Sequence, residues 1–274
     1  MLGRDLAAHL RGRHQVVAAD LPEVDITDLS LVQRAFKSDL VDAVIHAAAF
    51  TAVDECEHRP DLAFQVNAEG TRNVAIACLE ASLPMLYLST DYVFDGRKPS
   101  PYAEDDLPNP LNVYGCSKLA GERHVTELLP AAWIVRTSWL FGPFGKNFVG
   151  AILQRARRME PLRVVDDQVG APTYTLDLAE KLEMIVMTGT PGVYHVTNRG
   201  YCSWFEFARE ILRQAGLSHV PLSAIPTSAS DRPALRPLNS RLAQTRLESA
   251  GLCLLPPWQD ALSRYLLREP QAQA

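Results

Sequence analysis

A chain of 274 residues, 47% hydrophobic and 22% charged, is long enough to bury a full core as one large domain or as a domain with a lobe. Its net charge of −5 excludes a blanket attraction to nucleic acid or to an anionic membrane, while a small anionic ligand could still be held by local arginines. No apolar run approaches membrane-spanning length. The five scattered cysteines, Cys56, Cys78, Cys116, Cys202 and Cys253, show no C-x-x-C pair and no Cys/His ligand spacing. Reduced thiols in a cytoplasmic protein are expected, and no metal site.

In chain order, Leu2, Leu6 and Leu10 recur every four residues and predict an amphipathic helix packed on a sheet. Arg4, Arg11 and Arg13 lie close by, but Asp5 and the lack of serine argue against a transit peptide. Continuous apolar runs at 15–19, 43–48, 85–89 and 133–137 predict parallel strands covered on both faces. Helices are predicted near 29–37, 62–81 and 113–128. This alternation predicts an α/β fold with a doubly wound, Rossmann-like parallel sheet, whose ligands lie at the C-terminal ends of the strands.

The last third is less regular. A helix near 148–158, a strand at 162–165, a helix at 176–187 and a strand at 192–196 are followed by a helix near 204–215, a Pro/Ser-rich loop at 221–237 and two short helices. Residues 1–146 and 173–197 are assigned to a dinucleotide-binding domain, and 147–172 with 198–274 to a smaller, discontinuous α/β substrate lobe. Glu269 to Ala274 are expected to fray.

The chemistry concentrates around two stretches. Tyr114 and Lys118 are four residues apart on a predicted helix, so they share a face. An ammonium beside a phenol favours the phenolate, and on that ground alone Tyr114 is expected to have a lowered pKa and to serve as a proton donor near neutral pH. The run Ser89-Thr90-Asp91-Tyr92 ends a predicted strand, where a threonine hydroxyl can bond the same carbonyl oxygen or simply cap a turn. Ala47, Ala48 and Ala49 end another strand with side chains small enough for a dinucleotide to approach the backbone. Asp20, after the run at 15–19, and Asp25 are candidates for the adenosine ribose hydroxyls, which mildly favours NADH. Arg232, Arg236 and Arg241 are available to offset a diphosphate.

S-T-D-Y-V-F-D-G (Ser89 to Gly96), Y-x-x-x-K (Tyr114 to Lys118), H-A-A-A-F-T-A-V-D (His46 to Asp54), R-T-S-W-L-F-G (Arg136 to Gly142), D-Q-x-G-A-P-T (Asp167 to Thr173) and R-P-x-N-S-R-L (Arg236 to Leu242) all occur along the chain. Together they resemble the extended short-chain dehydrogenase/reductases, and within them the dTDP-4-dehydrorhamnose reductase family, from Gly3 nearly to the C-terminus. The resemblance implies hydride transfer from NADPH or NADH to C4 of dTDP-4-dehydro-6-deoxy-L-mannose, giving dTDP-L-rhamnose. It implies Tyr114 as general acid, Lys118 as the residue that tunes Tyr114 and holds the nicotinamide ribose, and Thr90 at the C4 oxygen. Thr51, Val53, Asp91, Tyr92 and Trp139 are implied to line the sugar pocket. No nucleic acid or membrane is implied as a partner, and a homodimer is compatible with it. Another nucleotide-sugar reductase or epimerase of the superfamily, or a non-catalytic binding subunit with this fold, remain the alternatives. Relatives carry a strand and a glycine loop ahead of the residue matched by Gly3, about ten residues with no counterpart in this sequence. Cofactor binding by the chain is therefore the expectation most in need of measurement.

Overall fold

The computed structural model describes residues 1–38 and 41–268. In chain order the elements are α1 (Leu2–Leu10), α2 (Leu29–Ser38), β1 (Val44–His46), α3 (Val53–His58), α4 (Pro60–Phe64), a π-helical segment (Gln65–Gly70), α5 (Thr71–Ala81), β2 (Met85–Thr90), a 3-10 turn (Asp91–Val93) and α6 (Val113–Leu128). Next come β3 (Trp133–Thr137), β4 (Leu140–Phe141), α7 (Phe148–Arg157), β5 (Leu162–Val165), β6 (Val169–Gly170), β7 (Thr173–Tyr174) and α8 (Thr175–Thr188). The chain finishes with β8 (Gly192–His195), β9 (Cys202–Ser203), α9 (Trp204–Gln214), β10 (Leu222–Ile225), a 3-10 turn (Thr227–Ala229), α10 (Thr245–Ser249) and α11 (Trp258–Arg268).

The main sheet runs β1-β2-β3-β8, all parallel. Its two central strands are covered on both faces: every residue of β2 and β3 is buried, with the apolar stretches 85–88 and 133–135 leading to polar C-terminal ends, as covered parallel strands require. One face is packed by α2, α5 and α6 through Val32, Val74, Cys78 and Val125 onto Met85, Tyr87 and Ile134. The other is packed by α1, α8 and α10 through Leu2, Leu6, Leu178, Leu182 and Leu247 onto Leu86, Leu88 and Val135. Helices on both faces make the sheet doubly wound. A second core gathers α7, α9 and α11 around the parallel pair β5–β10 through Ile152, Leu153, Leu162, Phe207, Ile211 and Trp258.

Three expectations are corrected. Residues 15–19 are not a strand: the segment is irregular and largely exposed, with Val17 46% accessible. A β-prone run becomes a strand only when its backbone finds a ladder partner, and among the described residues β1 pairs with β2 alone. Residues 62–81 are not one helix but α4, a π turn and α5, the widening of the ladder falling on Asn67, a fully buried residue. The loop at 221–237 contains β10, whose exposed Ser223 and Ala224 lie between half-buried Leu222 and Ile225, so that no in–out alternation marks the strand. The predicted fraying of Glu269 to Ala274 lies outside the described residues.

The approach of α6 to β2 sets the geometry at the C-terminal end of the sheet. A Cβ on Gly121 would sit 2.4 Å from the Tyr87 hydroxyl and 2.5 Å from the Asn67 carbonyl oxygen, and one on Gly115 would sit 2.2 Å from the Tyr92 carbonyl oxygen. By helix propensity alone, Gly121→Ala should stabilise by about 1 kcal/mol. Because backbone blocks the methyl, the opposite sign is expected, a loss of roughly 1–3 kcal/mol from overpacking, read as a lower thermal midpoint. A raised midpoint would show that α6 can withdraw from the sheet.

Candidate active site

At the C-terminal end of β2, Thr90 opens the 3-10 turn: its hydroxyl accepts the Tyr92 amide at 3.2 Å and donates to Asp91 Oδ1 at 3.1 Å. This is the capping role foreseen for the threonine. Asn112 caps α6 by accepting the Gly115 amide at 2.8 Å. Its own amide donates to the Leu235 carbonyl at 2.7 Å, and the Val113 amide donates to Glu57 of α3 at 2.9 Å. These contacts fix the first turn of α6, so that the Tyr114 phenol meets the Thr90 hydroxyl and lies edge-on to Tyr92 with centroids 6.0 Å apart.

One turn on, Lys118 is 2% exposed, with its ammonium 4.1 Å from the centre of the Tyr87 ring. The Tyr87 hydroxyl donates towards the Lys118 carbonyl oxygen at 3.3 Å. His46, at the end of β1, stacks on the same ring at 5.6 Å. The Thr71 hydroxyl donates to the Asn67 carbonyl, so its oxygen accepts from His46 Nε2 at 3.1 Å, assigning that proton to Nε2. Burial, with the Lys118 charge adding to it, pushes His46 down to about 3. His46 is therefore neutral beside the lysine.

Electrostatics correct the sequence-based reading of Tyr114. Burial holds its phenol well above the ordinary tyrosine range, and the hydrogen bond with Thr90 only partly opposes this. The perturbed partner is Lys118, which burial lowers to about 7 against the opposing pull of Glu122. A proton donor must be protonated at rest, so the upward shift suits reduction. Asp91 is 3% exposed and pushed up to about 7, chiefly by burial, which hydrogen bonding with Ser240 and Thr90 partly offsets; its Oδ2 makes no hydrogen bond of ordinary geometry. That oxygen is an acceptor awaiting a hydroxyl or a proton.

Of the remaining candidates, Ala47, Ala48 and Ala49 follow β1 as half-exposed irregular chain. Asn67 clamps the next residue: Phe50 donates to its Oδ1 at 2.8 Å, while its Nδ2 donates to the Phe50 carbonyl and to Ser117 of α6, both at 3.0 Å. Val53 starts α3, and Thr51 is exposed just before it. Trp139 has a left-handed backbone (φ 47°) and stacks flat on Trp204 at 3.6 Å. Gly3 lies in the first turn of α1 with open space where a Cβ would be. Neither Asp20 nor Asp25 is without local bonds: through Oδ1, Asp20 accepts the Leu21 amide at 2.9 Å, and Asp25 accepts the Thr27 amide and hydroxyl at 2.9 and 2.8 Å.

The arginines are not free either. Asp54 receives Arg232 at 2.9 Å and Arg236 at 3.0 Å; burial raises its carboxyl, but these two outweigh that and hold it below the ordinary value. Arg241 is tied to Asn239 at 2.8 Å and to the Pro99 carbonyl at 2.5 Å. Sequence reading missed Asn67, Asp54, Glu57 and Glu122; only Glu122 left a trace, four residues beyond Lys118 on one helix face.

A doubly wound parallel sheet presenting threonine, tyrosine and lysine together at its strand ends is the architecture of an extended short-chain dehydrogenase/reductase. The chain belongs to the RmlD substrate binding domain family, whose model matches residues 1–270. It is 43% identical over 270 residues to a dTDP-4-dehydrorhamnose reductase of Streptomyces griseus, covering 96% of this chain and 89% of that one. It is 41% identical to the enzyme of that name from Aggregatibacter actinomycetemcomitans, covering 95% and 93%. A solved dTDP-4-dehydrorhamnose reductase from Bacillus anthracis in complex with NADP superposes with a TM-score of 0.94 at 39% identity, over 97% of this chain and 95% of that one. A UDP-glucose 4-epimerase of Thermus thermophilus shares the fold, with a TM-score of 0.83 at 21% identity.

The buried lysine has a measurable signature. Its folded pKa of about 7 lies below its ordinary 10.5, so the charged side chain opposes folding fully below about pH 7, and the penalty fades as pH rises towards the unfolded value. Lys118→Met is expected to melt above the parent at about pH 6, with the gap narrowing as pH is raised through that window. A gap that widens with pH in thermal denaturation would contradict the assignment.

Proposed function

We propose that this chain reduces the C4 ketone of dTDP-4-dehydro-6-deoxy-L-mannose to dTDP-L-rhamnose with NADPH or NADH. The observation that carries the reading is the meeting of the Thr90 hydroxyl, the protonated Tyr114 phenol and the unpartnered Asp91 Oδ2 at one strand end, in a chain of this family.

The residues fit a nicotinamide dinucleotide. Small side chains at Ala47, Ala48 and Ala49 leave the backbone approachable, Asn67 holds the following turn rigid, Gly3 leaves open space at the first turn of α1, and Lys118 offers an ammonium to ribose hydroxyls beside Tyr114. When bound, the nicotinamide supplies the hydride. Tyr114 donates its phenolic proton to the C4 oxygen as negative charge develops there, and Thr90 gives that oxygen a second hydrogen bond. For this, the Thr90 proton turns from Asp91 Oδ1 to the substrate. Lys118, charged, then stabilises the Tyr114 phenolate until solvent returns the proton. Asp91 accepts a sugar hydroxyl, and Tyr92, Thr51, Val53 and Trp139 complete the sugar pocket. Residues 147–172 and 198–274 act as the substrate lobe, and the free thiols suit a cytoplasmic enzyme. Among the described residues, no helix is long and apolar enough to cross a membrane.

Incubation with the dTDP-linked ketosugar and NADPH or NADH, with the product identified by NMR, tests the reading. Turnover of an unrelated nucleotide sugar with none of this one would overturn it. Tyr114→Phe is expected to lower kcat by about 10²–10⁴-fold while NADPH fluorescence titration still shows saturable binding. Retention of turnover in that variant would remove Tyr114 as the acid.

A further inference from the structure

Glu122 lies one turn beyond Lys118 on the same face of α6 and is 4% exposed. Its carboxylate is fully engaged. Oε1 accepts the Ser89 hydroxyl and Arg136 Nε at 2.9 Å, and Oε2 accepts Arg136 Nη2 at 2.7 Å. Ser89 directly precedes Thr90 on β2, and Arg136 is on β3, so three elements meet at one carboxylate. Arg136 is itself packed over Phe94 at 5.2 Å and is 3.5 Å from His195 and 3.4 Å from the Glu104 carbonyl. A buried ion pair of this kind is weak grounds for stability, since desolvation offsets much of the attraction. Its position supplies another reason for it to be there.

We propose that Glu122 is a positioning residue for the carbonyl reduction: held by Ser89 and Arg136, it supplies the counter-charge of the Lys118 ammonium and fixes the register of α6 on β2, so that Tyr114 meets Thr90. The proposal rests on the reductive function put forward above. The groups facing Lys118 single out Glu122 as the source of that charge. From β1 comes His46, neutral because burial lowers it to about 3. From β2 comes Tyr87, uncharged because burial raises it far above the ordinary range. From the π segment and α5 come Asn67 and Thr71, which carry no charge. On α6 itself, Tyr114 is protonated. Glu122 alone raises Lys118 against its burial. The register argument is independent of charge: α6 touches the turn through Gly115 and β2 through Gly121 and the Tyr87–Lys118 hydrogen bond, and Ser89–Glu122 adds a contact that joins the residue directly before Thr90 to the helix bearing Tyr114.

The test is the titration of Lys118 itself, followed by lysine ¹³Cε NMR in the full chain without substrate. The sequence has only Lys37, Lys98, Lys118, Lys146 and Lys181 to resolve, and Lys118→Met assigns the signal. Glu122→Gln is expected to move the Lys118 midpoint down by at least about half a pH unit, and to carry the alkaline limb of kcat/KM the same way. KM for the nucleotide sugar stays within about two-fold of the parent, since substrate contacts are untouched. Glu122→Asp keeps the charge and withdraws the carboxylate by a methylene. It is expected to retain the midpoint while kcat falls roughly ten-fold from displaced geometry. An unmoved Lys118 midpoint in folded Glu122→Gln overturns the proposal. If that variant does not fold because Arg136 is orphaned, parent-like kcat in Glu122→Asp overturns it instead. Because the NMR titration needs no turnover, a parent inactive on the ketosugar with a Lys118 that responds to Glu122 marks failure of the functional reading and not of the charge coupling.

Discussion

The site exists because α6 lies unusually close to β2. Gly115 and Gly121 remove the side chains that would keep a helix at ordinary distance, and the space goes to a carbonyl of the turn after β2 and to a tyrosine hydroxyl. That approach drives Lys118 under the Tyr87 ring, sets Tyr114 against Thr90 and lets Glu122 reach Ser89. Packing density of this order excludes water as well as holding geometry. Each charge taken inside must then find a partner or change its protonation, and the titration of Lys118, His46 and Asp91 follows from that single constraint.

Burial thereby reverses the division of labour that a phenol–ammonium pair suggests in isolation. In water the ammonium would be the fixed charge and the phenol the group that yields. In this interior the phenol keeps its proton, and the ammonium is the group balanced near neutrality. In the proposed reduction the acid has to be loaded before the hydride moves, which a phenol protonated at rest satisfies, and the lysine's charge would matter once that proton has left. The protonated phenol thus comes with a lysine whose charge burial disfavours.

Much of the fold was legible in the sequence because its signals are local. Runs such as 85–88 and 133–135 are apolar on both faces, and Leu2, Leu6 and Leu10 mark a helix by spacing alone. The candidate trio Thr90, Tyr114 and Lys118 was legible for the same reason, two of its members being one helical turn apart and the third ending a strand. What stayed hidden depends on partners distant in sequence. Whether residues 15–19 form a strand depends on a neighbour to pair with, and the π turn at Gln65–Gly70 answers to Phe50 and Ser117 through Asn67. The short pairs β4–β7 and β6–β9 are two residues each, too brief for any periodicity. Asp54 gave no sign that it would collect two arginines from a loop nearly 180 positions later.

That last contact changes what the arginine-rich loop means for an anion in solution. With Arg232 and Arg236 both on Asp54, one carboxylate faces two guanidiniums, so half of their positive charge is already compensated, and an anion seeking these arginines would displace that carboxylate as it takes its place. Added salt then screens both sides of the exchange, the contact that is lost as well as the one that is made. Occupancy governed in this way would respond to ionic strength less than that of two unpaired arginines, by about the share of charge that the carboxylate already holds.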